Sequence, residues 1–408
     1  MSHALPNLPC LLYVGDVPVE SSYHGSALLY RLLQTYPTDC LRIIESGLAA
    51  SLQDRRLPDV PYLTALQPSR RWLHTRFHRL VSSVLALWAK SRLGVIERAI
   101  CGFKAESILT VAHGYSWLTA AELARRRQLP LHMIVHDDCP RVLRSFRPVQ
   151  GWVEQQFSHC YRQATSRLCV SPYMIEEYQR RYGVSGQLLY PSHAAGAVQF
   201  SGSPGRLRED HPLTCVFGGT INSSGYLQAL KTLAGELALL GGRLVLYGPL
   251  SPERATACGL NASNIEVRGL VSSQELIQRC REMADVLFVP MSFDPQDEAN
   301  MRIGFPSKLT DYTALGLPLL IYGPAYCSAV RWAREHPGVA EVVDAENSKR
   351  LGHALRRLAG DPQHRMSLGA RALEVGNRCF AHSVVTDQFQ RALAGAGSPA
   401  GIWTHLVR

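Results

Sequence analysis

Two histidines stand at positions where an imidazole can take part in chemistry. His113 and His136 each close a short apolar run, at residues 107–113 and 131–136, that is typical of a buried strand. Open α/β sheets gather their ligands at the carboxyl ends of the strands. An imidazole there can hydrogen-bond a hydroxyl group when neutral, or carry charge near neutral pH. Asp137 adds a carboxylate directly after His136, although either ring could instead be an ordinary core histidine.

A second such place lies in the other half of the chain. Gly218, Gly219 and Thr220 follow the apolar run LTCVF at residues 213–217. Adjacent glycines let a phosphate group approach the backbone closely, because no Cβ stands in the way. A pair of glycines is also common in an ordinary tight turn, so these residues alone leave both interpretations open.

Apolar runs and helix-like segments alternate along the 408 residues. LLYVG at residues 11–15 predicts a strand, residues 24–34 a helix, and LRIIE at residues 41–45 the next strand. The alternation restarts after residues 192–212, which are rich in Ser, Gly and Pro and lack periodicity. The sequence therefore predicts an α/β protein with two Rossmann-like, doubly wound domains. We place the domains at residues 1–200 and 201–380, and a last helix and tail that return to the first domain at residues 381–408.

The composition is typical of a folded cytoplasmic protein. Hydrophobic residues make up 46% of the chain and charged residues 19%. The 11 cysteines include no Cys-x-x-Cys pair, which argues against a zinc knuckle and a disulfide framework. We expect no export signal and no membrane span, because the first residues lack a basic cluster with an apolar run and no stretch of about 18 apolar residues follows. The net charge of +10 favours anionic partners.

Residues 70–92 are predicted to form a basic amphipathic helix. Arg76, Arg79 and Lys90 fall on one face, opposite an apolar face made of Leu73, Phe77, Leu80, Val81, Val84 and Trp88. Such a helix can dock on an anionic membrane, which would bring the protein to the inner face of the membrane. It can also be a domain helix with a solvated outer face. We do not expect nucleic-acid binding, since the other basic residues are dispersed and not interleaved with aromatic ones.

Five runs resemble the retaining glycosyltransferase family 4. They are HGYSW at residues 113–117, VHDDCP at 135–140, NIEVRGLVSSQEL at 264–276, ADVLFVP at 284–290 and KLTDYTALGLPLLI at 308–321. The runs touch both halves of the chain in the order that the family has. The resemblance implies a GT-B architecture, in which two Rossmann-like domains face a central cleft. It also implies that a sugar passes from a nucleotide-sugar donor to an acceptor with retention of configuration and without a metal or other cofactor.

The resemblance assigns donor binding to the second domain. Lys308 and the helix start before it would receive the diphosphate, because free N–H groups and a fixed cation stabilise a leaving group that gains negative charge. Asp311 corresponds to the second acid of the family's Glu-x7-Glu pair and would accept hydrogen bonds from hydroxyl groups. Ile303 stands where the family has the first acid, and the family's basic pair is missing, so Arg302 is a further candidate for positive charge. The other donor-side candidates are Gly218, Gly219, Thr220, Leu270, Val271, Phe305 and Ser307.

The first domain would contact the transferred sugar and the acceptor. His136 matches the family histidine that approaches the sugar, and we count it as catalytic with Asp137 and Asp311. The acceptor-side candidates are Ser22, His24, Gly25 and His113. Asp137 and Asp138 could be taken for the metal-binding acid pair of GT-A transferases, but a Mg²⁺ or Mn²⁺ site usually needs more oxygen ligands nearby, so we expect no metal.

These residues predict a glycosyltransferase whose acceptor is a glycan, a glycoconjugate or a lipid-linked saccharide. A sugar-nucleotide epimerase or a phosphorylase of the same fold is an alternative, which a test with the donor alone would separate. A catalytically silent subunit that binds a nucleotide sugar is another, and it would bind the donor without transferring the sugar. Substrate identity does not follow from the fold.

Overall fold

The computed structural model describes residues 8–21, 24–46, 49–65, 75–142, 145–204, 212–221 and 223–395. It divides the chain into two compact units. One unit contains the chain up to Pro191 and the segment from Ser383 onward, and the other contains Ser192–His382. The predicted candidate Ser22 and residues 70–74 of the predicted amphipathic helix lie outside the described residues.

The first unit is built on a parallel sheet. Its described strands are β1 (Leu11–Gly15), β2 (Leu41–Glu45), β3 (Tyr62–Thr64), β4 (Ser107–Val111), β5 (Leu131–Val135), β6 (Ser166–Cys169) and β7 (Gln187–Leu188). They lie in the order β3-β2-β1-β4-β5-β6-β7, and neighbouring strands are parallel. Strand order reverses between β1 and β4, which is the kind of place where doubly wound sheets bind ligands. β1, β4 and β5 are buried along their whole length, as expected for the centre of such a sheet.

Helices connect these strands. They are α1 (His24–Leu33), α2 (His78–Trp88), α3 (Leu93–Ala99), α4 (Ser116–Arg127), α5 (Cys139–Val142), α6 (Arg147–Gln163) and α7 (Pro172–Tyr182). Local chemistry explains both ends of α7: the Ser171 hydroxyl accepts from the Met174 N–H at 3.0 Å, and Gly183 follows the helix with φ of +74°.

The second unit repeats this plan. Its described strands are β8 (Thr214–Gly218), β9 (Arg243–Tyr247), β10 (Ile265–Gly269), β11 (Val286–Pro290), β12 (Leu319–Tyr322) and β13 (Glu341–Val343), in the order β10-β9-β8-β11-β12-β13. Its helices are α8 (Ser224–Ala238), α9 (Pro252–Ala257), α10 (Ser273–Met283), α11 (Glu298–Ile303), α12 (Ser307–Thr313), α13 (Ser328–Glu335), α14 (Ser348–Gly360) and α15 (Pro362–Phe380). Phe217, Leu233, Phe288 and Leu355 belong to one buried cluster that packs helices on this sheet.

A last helix, α16 (His382–Leu393), follows α15. Val385, Phe389 and Leu393 are buried, so the apolar face of this helix is the packed one. None of the helices in the described ranges is long and apolar enough to cross a membrane.

The predicted amphipathic helix differs from the observed structure. The described part divides into α2, a 3₁₀ turn at Ala89–Arg92, and α3. Ser82, Ser83, Leu85 and Ala86 form the buried side of α2. Several apolar side chains at its solvent side are exposed, by 47% for Phe77, 50% for Leu80, 58% for Leu87 and 64% for Trp88. The predicted single helix is therefore divided, and apolar side chains that were expected on its packed face lie at the solvent side.

Candidate functional site

The carboxyl edge of the first sheet gathers ionisable side chains. β4 pairs with both β1 and β5, so the residues that follow these three strands emerge side by side. Asp16 follows β1, His113 comes shortly after β4, and His136 and Asp137 follow β5. The rule that ligand sites lie beyond the carboxyl ends of parallel strands thus brings these four side chains to one edge.

Three of them converge on a common point. The Asp137 Oδ2 atom lies 3.8 Å from His113 Nδ1 and 3.8 Å from His136 Nε2. The two imidazole rings meet edge to face, with centroids 5.6 Å apart. The exposed fraction of the side chain is 48% for His113, 15% for His136 and 35% for Asp137, so a ligand can reach all three. We call these residues the His-His-Asp trio.

His136 is held at this edge by close packing. A Cβ built on Gly25, near the start of α1, would lie 2.8 Å from His136 Cε1, so only glycine leaves room for the ring. Burial lowers the pKa of His136, while the Asp137 charge opposes that shift. The ring is therefore neutral at pH 7, and its partial exposure excludes a sealed core histidine. The predicted candidate His24 begins α1, and its side chain lies outside the described part of the structure.

Asp16 is a residue of this edge that the sequence analysis did not select. Its Oδ2 atom accepts a hydrogen bond of 2.6 Å from the N–H of Ser116, at the start of α4. Burial raises the pKa of Asp16, and the Ser116 N–H and the nearby His113 ring act against that shift. Its position directly after a buried strand could have identified Asp16 as a site candidate, because the same position identified His136.

Asp138 has a structural role instead. It is 1% exposed, and Arg181 Nη1 donates to both of its carboxylate oxygens, at 2.8 and 2.9 Å. The hydroxyl of Tyr178 is a further donor, at 3.4 Å. A carboxylate bound in this way anchors α7 to the loop after β5 and does not join Asp137 as an acid pair.

The carboxyl edge of the second sheet is made largely of backbone. Gly219, with φ of +137°, follows β8, and Gly248, with φ of +151°, follows β9. A Cβ on Gly248 would stand 2.3 Å from the Gly219 carbonyl oxygen, so the two turns pack too closely for any side chain there. The Gly219 N–H donates to the Tyr247 carbonyl at 2.7 Å, and the Gly218 N–H to the Tyr312 hydroxyl at 2.6 Å. The glycines therefore provide space at this edge, and their own N–H groups are already used.

Lys308 covers this turn. A Cβ on Gly219 would lie 2.1 Å from Lys308 Cε and 2.9 Å from Nζ. The ammonium group is 5.0 Å from the ring centroid of Phe217 and 5.9 Å from that of Tyr226, and burial lowers its pKa to about 8. Within the described ranges, Lys308 makes neither a hydrogen bond nor an ion pair with a carboxylate. The second edge thus presents a half-buried cation next to a turn of glycine backbone.

The neighbouring candidates have different surroundings. Phe305 packs against Trp332 and Phe380, with ring centroids 6.2 and 5.7 Å away, so its side chain belongs to the core. Ser307 begins α12 and is half-buried, after Pro306 in the capping position. Asp311, in the middle of α12, is also half-buried.

The remaining donor-side candidates are more open. The exposed Arg302 donates to Glu298 at 2.6 and 2.8 Å and stacks over the Tyr326 ring at 4.4 Å, so part of its charge is already balanced. Leu270, after β10, is 58% exposed. Val271 and Thr220 are half-buried.

Comparison with known proteins shows the fold. No protein-family model matches the sequence, and no curated protein matches it. HepE of Anabaena, solved with UDP and glucose, has a TM-score of 0.66 at 12% identity over 95% of this chain and 99% of its own. Sucrose-phosphate synthase from Thermosynechococcus elongatus has a TM-score of 0.66 at 15% identity over 93% and 97% of the two chains. α,α-Trehalose 6-phosphate synthase from Burkholderia multivorans has a TM-score of 0.62 at 15% identity over 96% and 98%. The chain has the GT-B type of fold, with two Rossmann-like α/β units.

Proposed function

We propose that this protein is a glycosyltransferase that transfers a sugar from a nucleotide-sugar donor to an acceptor. The observation that carries the proposal is the Lys308 ammonium beside the Gly219 turn, at the carboxyl edge of the second sheet. A half-buried cation with no carboxylate partner in the described ranges attracts an anion. HepE of Anabaena was also solved in complex with UDP and with UDP-glucose, which supports a nucleotide sugar as that anion.

The second edge suits a diphosphate for reasons of space and charge. Because Gly219 has no Cβ, a phosphate group can approach Lys308. Positive charge there stabilises the negative charge that develops on the leaving nucleotide. Because the Gly218 and Gly219 N–H groups are engaged, we assign the phosphate contact to Lys308 and not to those amides. Asp311 is our candidate for hydroxyl groups of the donor.

We assign the contact with the transferred sugar to the first edge. A neutral His136 can accept a hydrogen bond from a sugar hydroxyl or donate one, and Asp137 offers a second acceptor within the same trio. Retention of configuration is part of the proposal. In that chemistry, an oxygen of the leaving phosphate takes the proton of the acceptor as the new glycosidic bond forms on the same face of the sugar. We propose that this transfer needs no metal.

The outward apolar side of α2 and α3 supports a lipid-linked acceptor. Phe77, Leu80, Leu87 and Trp88 are exposed there, and so is Val95 of α3, by 46%. Basic side chains of the same segment are also exposed, namely Arg76, Arg79, Lys90 and Arg98. Exposed apolar and basic side chains on one segment fit an anionic bilayer, which combines burial with charge attraction. We propose that this surface docks the enzyme on the cytoplasmic face of a membrane.

A vesicle experiment tests the docking surface. The full-length chain should sediment with vesicles that contain anionic phospholipid, and much less with neutral vesicles. Leu87→Ala combined with Trp88→Ala should reduce the bound fraction several-fold. Leu239→Ala, which changes a leucine that is 77% exposed in the second unit, is the matched control. Equal binding of all three proteins would contradict membrane docking at this surface.

A donor screen tests the proposed reaction. Nucleotide sugars that bind should raise the melting temperature, and tighter binders should raise it more at the same concentration; at least one should do so. Release of the nucleotide only in the presence of an acceptor supports a transferase. Isomerised donor without acceptor would instead indicate an epimerase, and binding without any turnover would indicate a silent subunit. If no nucleotide sugar raises the melting temperature of wild type, the proposed function is wrong.

A further inference from the structure

The His-His-Asp trio has the spacing of a metal site. One ligand atom from each of the three side chains lies within 4.8 Å of the other two. The two distances of 3.8 Å to Asp137 Oδ2 are longer than a direct hydrogen bond of about 2.7–3.2 Å. Around a tetrahedral Zn²⁺ with bonds of about 2.0–2.2 Å, neighbouring ligand atoms stand roughly 3.4 Å apart. Small side-chain rotations would bring the trio to that spacing.

The donor atoms select the kind of metal. Two imidazole nitrogens and a carboxylate oxygen suit Zn²⁺, Co²⁺ or Ni²⁺, whereas Mg²⁺ and Ca²⁺ prefer sites made of oxygen. Three protein ligands with open positions are also typical of zinc sites that keep a water molecule.

We propose that His113, His136 and Asp137 bind a divalent transition metal ion of the Zn²⁺ class. The bound ion would occupy the ring nitrogen of His136 and the carboxylate of Asp137. These are the groups that we assigned to the transferred sugar, so this consequence rests on the proposed function. The metal would then inhibit transfer, and sugar contacts would weaken metal binding.

Direct metal binding tests the site without any activity assay. Co²⁺ is the probe, because its visible spectrum distinguishes nitrogen and oxygen ligands from thiolates, and the chain has 11 cysteines. We expect one saturable Co²⁺ site whose spectrum lacks sulfur-to-metal charge transfer, and we expect Zn²⁺ to displace the Co²⁺. A thiolate spectrum, or no saturable binding at all, would overturn the proposal.

Single substitutions locate the site. His113→Ala and Asp137→Asn should each weaken Co²⁺ and Zn²⁺ binding at least tenfold. His364→Ala is the matched control, since His364 Nε2 also lies near a carboxylate, Glu341 Oε2, at 3.2 Å, but outside the trio. Melting curves without metal should show that each variant is folded. Unchanged metal affinity in both folded trio variants would overturn the proposal.

The activity measurement separates the two proposals. If metal binds as expected and the protein has no transferase activity, the metal site stands and the proposed function fails. If the enzyme is active and Zn²⁺ does not bind, the metal site fails and the proposed function stands. For an active enzyme, Zn²⁺ should inhibit wild type at least tenfold more strongly than the His113→Ala variant.

Discussion

The carboxyl edges of the two sheets use the same scaffold position in opposite ways. In the first unit the edge carries side chains that titrate: Asp16, His113, His136 and Asp137. In the second unit β8, β9 and β10 end at or next to glycines with positive φ, and one lysine covers the turn after β8. The first edge can exchange hydrogen bonds and protons with a neutral molecule. The second can hold an anion.

Because of this difference, we expect substitutions at the two edges to change different kinetic quantities. A change at the second edge should reduce donor affinity, because the diphosphate of the donor is bound there before the sugar is transferred. A change at the first edge should leave donor affinity nearly intact and reduce turnover, if its groups contact the sugar in the transition state. The comparison fails if both edges affect the same kinetic quantity.

The largest expected effect comes from closing the space between the turns of the second edge. Gly248→Ala would place a Cβ 2.3 Å from a backbone oxygen and impose φ of +151° on alanine. Backbone strain and overpacking together should cost about 3 kcal/mol. We expect the melting temperature of the second unit to fall by roughly 6–12 °C, and donor binding to weaken with it.

A control separates the clash from the strain. Gly241 has φ of +67°, and a Cβ there would meet nothing within 4 Å. Gly241→Ala should therefore show the cost of backbone strain alone, about 1 kcal/mol, and should leave donor affinity unchanged. Equal losses in the two variants would mean that the close approach of the turns is not important.

The next effect is on donor affinity. Lys308→Ala removes the cation from the second edge, and a charge-assisted contact contributes about 2 kcal/mol. Donor Kd should rise by roughly 30-fold, measured by calorimetry. The melting temperature without donor should fall less than in Gly248→Ala, because Lys308 makes no ion pair with the described residues and loses only its contacts with the Phe217 and Tyr226 rings. Arg302→Ala is the matched control, and its smaller effect follows from the ion pair with Glu298. If Arg302→Ala weakens donor binding more than Lys308→Ala, the phosphate site is misplaced.

A smaller effect is expected on turnover from the first edge. His136→Ala removes one hydrogen bond to the sugar, so kcat/KM should fall by roughly tenfold, about 1.4 kcal/mol, with donor Kd unchanged. His136→Asn retains a hydrogen-bonding group without titrating and should recover part of the loss. Burial already lowers the pKa of His136, so protonation of this ring should reduce wild-type turnover only at acidic pH. A loss of donor affinity in His136→Ala would contradict the claim that only the second edge binds the donor phosphates.

Much of the fold could be predicted from local sequence. Strands β1 and β2 are largely apolar runs with clear ends, and their predicted bounds agree with the structure. The predicted strands at residues 107–113 and 131–136 end two and one residues too late, because His113 and His136 already belong to the loops. The start of α10 also follows from local sequence, since the Ser272 hydroxyl accepts from the Glu275 N–H at 3.1 Å.

Contacts between distant segments could not be predicted in this way. Nothing in the local sequence shows that Arg181, 43 positions away, would bind Asp138, or that Phe305 would pack into a core with Trp332 and Phe380. The exposure of the apolar side of α2 could not be predicted from hydrophobic periodicity either. Periodicity finds the face of a helix, and only the packing partners decide which face is buried.

The smallest effect, a doubling of donor Kd near pH 8, begins the sharpest test of the second edge, which is the pH dependence of donor binding. The pKa of Lys308 is lowered to about 8 by burial, so the free protein loses this positive charge as the pH rises through 8. The diphosphate of a nucleotide sugar has no free acidic proton to lose in this range. Donor Kd should therefore be constant below pH 8, double near pH 8, and rise at most tenfold per unit above it until the affinity of Lys308→Ala is reached.

Lys308→Arg is the control, because arginine keeps its proton to high pH and its donor Kd should stay nearly flat from pH 7 to 10. Any ionisation of the nucleotide base affects both proteins equally, so the ratio of the two Kd values isolates the lysine. If donor Kd changes with pH in the same way in wild type and Lys308→Arg, the Lys308 ammonium does not bind the phosphates. The two edges would then no longer differ by an anion-binding cation.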